Sequence, residues 1–114
     1  MVLVFEGSHS ARINDFAFAV ANHLLSPLEE PPFDILVTFD RDLDNGADGY
    51  CHIAEEEDDP DVCCIDVNME LSEARQAITI AHEMVHMRQA AQGVDYDEDE
   101  AYGLESVLVD QFFL

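Results

Sequence analysis

Residues 79–89 read TIAHEMVHMRQ, which places His82 and His86 four positions apart in a chain with 5 histidines, with Glu83 directly after the first. On a helix each residue advances about 100°, so side chains four apart stand within about 40° of each other on successive turns. Two neutral imidazoles placed this way can reach one ion at roughly 2.0–2.1 Å, and with a third ligand they hold zinc and leave a position open. An ion so held lowers the pKa of a water and polarises a carbonyl. Glu83 points to the side of the pair, where a carboxylate off the metal can take the proton from that water. Histidines four apart also occur on ordinary solvated faces, so the elements around the motif decide its weight.

The motif sits inside ELSEARQAITIAHEMVHMRQAAQG, which has no proline and ends at Gly93. It reads as one long helix, with Ser72 as N-cap and Glu73 favourably placed against the helix dipole. Ala77, Ile80, Ala81, Met84, Met87 and Ala91 gather on one side as a core face, and the two histidines fall on the other. After Gly93, VDYDED reads as a polar link and EAYGLESVLVDQFFL as a final helix over 100–114. For a third ligand this acidic stretch offers Glu98 and Glu100 as candidates, and periodicity alone does not choose. Both flank the apolar face of Ala101, Leu104 and Leu108. Glu98 shares its stripe with Tyr102 and Glu105, which is the richer in hydrogen-bonding groups that could orient a ligand. Tyr102, one turn on, could donate to a ligand or to a bound substrate oxygen.

AHEMVHMRQ followed by EDEAYGLE resembles the minimal, often phage-associated zinc peptidases of the gluzincin type, and the resemblance covers residues 79–105. It implies His82 and His86 as zinc ligands, Glu83 as general base, and the first glutamate of the E-x-E-A segment, Glu98, as third ligand. It also implies an edge strand beside the cleft that pairs with an extended peptide. VCCIDV, residues 62–67, is the candidate for that strand.

The remainder of the chain supplies a scaffold. VLVFE (2–6) reads as a strand. Ser8 or Ser10 can cap a helix running to about Leu25, where Ile13, Phe16, Ala17, Val20 and Leu24 mark a core face and Ser26-Pro27 ends it. DILVTF (34–39) is the clearest strand. Residues 40–50 carry Asn45-Gly46 and Asp48-Gly49, both hairpin-turn dipeptides. Their alternating Asp40, Asp42 and Asp44 suggest calcium, but the sixth and twelfth positions of such a loop would be Asn45 and Cys51 in place of glycine and glutamate. YCHIA (50–54) and VCCIDV read as two strands joined by an acidic loop. Cys51, His52, Cys63 and Cys64 do not form a structural zinc site, because neighbours on a strand point to opposite faces. An odd count of 3 cysteines fits reduced thiols better than a disulfide framework. His9 and His23 read as ordinary surface histidines.

The expected architecture is α+β, one zincin-like domain over 1–114. In it a small mixed sheet packs against an N-terminal helix and the motif helix, and a C-terminal helix bears the third ligand. There are 26 acidic residues against 4 basic ones, all arginine, giving a net charge of −22. Such a surface repels phosphates and argues against binding nucleic acid. It suits solvation in high salt, basic partners, or mimicry of nucleic acid. No run of apolar residues is long enough to span a membrane, and the N-terminal segment lacks the pattern of a secretion signal, so a cytoplasmic protein is expected. The function these features point to is zinc-dependent hydrolysis of peptide bonds in basic or extended peptides. The alternatives are a catalytically silent zinc-binding module acting through a protein partner and an acidic decoy for a nucleic-acid-binding protein. A retained Glu83 opposes the first, and a metal triad opposes the second.

Overall fold

The computed structural model of the chain describes residues 3–7, 10–28, 33–41, 43, 46–54 and 61–113. Seven elements follow in the order β1 (Leu3–Glu6), α1 (Ala11–Leu25), β2 (Phe33–Asp40), β3 (Gly49–Ala54), β4 (Asp61–Asn68), α2 (Glu73–Ala91) and α3 (Glu98–Phe112). The start of α1 is set by Ser10, whose Oγ accepts from the Ile13 N–H at 3.2 Å. Ser72 does the same for α2 through the Arg75 N–H at 3.2 Å. α2 stops at Gly93, held at φ 72°. There the Gly93 N–H donates to the Ala90 carbonyl and the Val94 N–H to the Gln89 carbonyl, a closure that favours a residue without Cβ. His9, Ser8, Asp42, Asp44, Asn45 and the acidic loop before β4 lie outside the described residues.

The sheet is mixed, in the order β1-β2-β4-β3. β1 and β2 are parallel, β2 and β4 are parallel, and β3 runs antiparallel to β4. Two expectations are corrected here. Gly49 opens β3 and does not turn a β2–β3 hairpin, because β4 lies between those strands. For the same reason VCCIDV is not an edge strand. β4 is bonded on both sides, and the edge nearer the motif helix is β3. Hydrophobic alternation reports which face of a strand is buried, and it carries no information about lateral neighbours.

Register sorts the strand residues onto two faces. Ile35, Cys63 and Ile53 stand side by side, with Val37, Ile65 and Cys51 in the next inward row. This face is covered by helices, and Phe33, Ile35, Val37, Phe39, Cys63, Ile65 and Val67 are all buried. Cys64 and His52 are direct cross-strand partners on the opposite face. The cysteines are therefore divided between faces, and none of the three is in a disulfide. Cys51 and Cys63 share the covered face with their Sγ atoms 3.6 Å apart.

α1 packs on α2, and its Ile13, Phe16, Ala17, Val20, Ala21 and Leu24 are each buried. Each such large apolar side chain contributes roughly 1.5–3 kcal/mol of transfer free energy. α2 is the central element, touching α1, α3, β3 and β4. It consequently buries more than the single apolar face its periodicity marks. Glu83, Val85, His86 and Gln89 are also buried, because α3 and β3 cover the side that would otherwise meet water. Among the described residues no helix is long and apolar enough to cross a membrane.

Candidate metal centre

α3 begins two residues before the expected position. Asp97 is its N-cap, its side chain accepting from the Glu100 N–H at 3.3 Å, and the first turn is Glu98, Asp99 and Glu100. Carboxylates there are favoured by the helix dipole, so the last two residues of the apparent polar link, Glu98 and Asp99, are helical. The helix returns across α2 and brings Glu98 to the histidines. Glu98 Oε1 lies 2.7 Å from His86 Nε2, and Oε2 lies 3.1 Å from His82 Nε2. The donor atoms of His82, His86 and Glu98 all fall within 4.8 Å of one another. Glu100 is turned elsewhere, accepting from Arg88 at 3.0 Å and from Gln89 Nε2 at 3.2 Å.

The outer nitrogens of both rings are occupied. His82 Nδ1 lies 2.8 Å from Glu105 Oε2, and His86 Nδ1 lies 2.9 Å from Gln89 Oε1. Both partners are acceptors, so each Nδ1 is placed to donate, and a neutral ring that donates there offers only a lone pair at Nε2. Two lone pairs thus face a carboxylate that also only accepts. Such a set is repulsive unless protons or a cation lie between. Two donors bound tetrahedrally to one zinc stand about 3.3 Å apart; the two Nε2–Oε distances here are 2.7 and 3.1 Å, and the whole donor set lies within 4.8 Å. The residues present therefore fit a single divalent cation, with Glu105 and Gln89 orienting the rings from behind.

Glu83 lies beside the triad, 9% exposed. Burial pushes its carboxyl above the ordinary range; the two neighbouring histidines pull it down, and Glu98 pushes it further up. It lines a cleft of about 530 Å³ together with Thr79, His82, Glu98, Tyr102 and Glu105. Gly49, at the start of β3, closes against this spot. A Cβ there would stand 2.6 Å from Thr79 Cγ2, 2.8 Å from the Asp66 carbonyl oxygen and 3.5 Å from Glu83 Cγ. Asp48 also lines the cleft, paired at 2.9 Å with Arg75, whose charge is thereby largely spent.

Two tyrosines flank the rings. Tyr102 meets His82 edge-on with centroids 4.8 Å apart and remains 64% exposed in the cleft. Tyr96 stacks on His86 at 4.6 Å, and its hydroxyl donates to the Cys51 carbonyl oxygen at 3.4 Å, which ties the α2–α3 loop to β3. Burial, followed by the contact with Cys51, raises the Tyr96 hydroxyl above its ordinary range. The Cys63 thiol is raised as well, chiefly by its contact with Cys51 and then by burial. His23 packs against Phe112 and His52 sits on the open sheet face, so neither joins the centre.

Glu105 was visible in the sequence as part of the Glu98 stripe, two turns on. Gln89 and Tyr96 carried no such signal, except that Gln89 lies one turn after His86. No family model, curated protein or solved structure matches the chain.

Proposed function

We propose that this protein is a zinc-dependent peptide hydrolase, with His82, His86 and Glu98 as ligands and Glu83 as general base. The observation that carries the reading is the His82–His86–Glu98 cluster, whose ligand atoms converge within 4.8 Å and whose outward ring nitrogens already have partners. A zinc ion in such a set supplies a Lewis acid for the attacking water and the scissile carbonyl. The chain's own part is then positional and acid–base. Glu83 is buried beside the ligands and lines the cleft, which places it to accept a proton from water and hand it to a departing amine. Tyr102 projects into the cleft beside His82 and can donate its phenolic hydrogen to a substrate oxygen. With Asp48 and Arg75 offsetting each other in the cleft wall, Glu98 and Glu105 leave it acidic, which favours cationic or neutral segments over acidic ones.

Metal analysis of the purified protein together with cleavage profiling on a diverse peptide library tests this reading. One zinc per chain and cleavage are expected, and Glu83→Gln should keep zinc while hydrolysis falls by about 100-fold or more. Zinc without cleavage would leave a binding module. Absence of zinc affinity would remove the reading altogether.

A further inference from the structure

Gln89 is 1% exposed, yet its amide makes four polar contacts. Oε1 accepts from the Asp97 backbone N–H at 3.0 Å and meets His86 Nδ1 at 2.9 Å. Nε2 donates to the Asp97 carbonyl oxygen at 3.1 Å and to Glu100 Oε1 at 3.2 Å. The backbone of Asp97 fixes which end of the amide is which, since an N–H can only donate and a carbonyl can only accept. Exchanging oxygen and nitrogen would break both of those bonds. With Oε1 fixed as the acceptor, His86 Nδ1 must carry the hydrogen, and Nε2 is left as a lone pair toward Glu98.

The same amide grips both backbone groups of the residue that caps α3. Glu98 is the next residue along. We infer that Gln89 is a positioning residue that sets two ligands from two helices together: the ring form of His86 and the location of Glu98. The inference rests on the proposed triad for its functional meaning, but the ring form is a property of the metal-free chain. Chemistry also specifies an amide at this position. A carboxylate would serve the His86 ring, as Glu105 serves His82, but its second oxygen would face the Asp97 carbonyl and the Glu100 carboxylate.

Two measurements on the full chain test this. Long-range proton–nitrogen correlation spectra of the metal-free wild type should show a hydrogen on His86 Nδ1; a ring protonated on Nε2 alone would overturn the inference. Zinc affinity by competition titration should fall about 10- to 100-fold in Gln89→Met, which is similar in length but has no amide, with the far-ultraviolet circular dichroism unchanged. Gln89→Glu should weaken binding as well despite keeping an acceptor for the ring. Wild-type affinity in both variants would refute the positioning role. If Gln89→Met does not fold, the wild-type ring form and the glutamate variant decide. A wild type that shows the Nδ1–H ring and binds no zinc would remove the metal reading and leave the inference standing.

Discussion

Glu105 stands behind His82, its Oε2 2.8 Å from Nδ1, on the side of the ring opposite the Glu98 contact at Nε2. The ring is thus held between two carboxylates of one helix, seven residues apart. Only Glu98 is placed to share a cation with His86. Removing the acceptor from the rear of the ring should loosen it and lower its basicity. Glu105→Ala is expected to weaken zinc binding about 10- to 100-fold, and Glu105→Gln, which still accepts, by less. Competition titration with a chromophoric chelator ranks the two. Equal affinities for both variants and the wild type would show that the contact does not orient His82.

The two candidate ligands on α3 should separate cleanly. Glu98 faces both Nε2 atoms, whereas Glu100 is engaged by Arg88 and Gln89. Glu98→Ala is expected to abolish tight zinc binding, and Glu100→Ala to retain most of it while losing some stability. Zinc titration of both variants gives the ranking, and the reverse order would move the site to Glu100.

Gly49 should not tolerate a side chain. A Cβ at this position would meet the methyl of Thr79 at 2.6 Å and the backbone oxygen of Asp66 at 2.8 Å. Gly49→Ala must therefore push β3 away from α2 beside Glu83, at a cost of about 1–3 kcal/mol. Chemical denaturation measures the cost. A variant as stable as the wild type would mean that β3 does not pack this closely.

Salt should stabilise the fold. With 26 acidic and 4 basic side chains, self-repulsion opposes the compact state, and screening relieves it over a Debye length of about 10 Å at 0.1 M and 3 Å at 1 M. The melting temperature of the metal-free protein is expected to rise steadily between about 0.05 and 1 M sodium chloride. A flat or falling curve would indicate that the surface charges are already compensated within the fold.

What the sequence determined by itself was local. Ser10, Ser72 and Gly93 set helix ends through bonds that close within a few residues, and the four-residue spacing of His82 and His86 aligns their rings through helix geometry alone. β2, β3 and β4 were legible from alternation and β-branched content to within about a residue at each end. Alternation could not say that β4 lies inside the sheet and β3 at its edge, because neighbours are chosen by how whole strands pack, not by any one strand. Nor could a helical wheel reveal that Glu83 and Gln89 are buried: that follows from α3 and β3 closing over the second side of α2. Glu98 was favoured over Glu100 by its hydrogen-bonding stripe and by the resemblance, but helix periodicity did not choose between them. Both lie in the first turn of α3, and only the angle at which that helix docks on α2 brings one carboxylate to both rings and the other to Arg88.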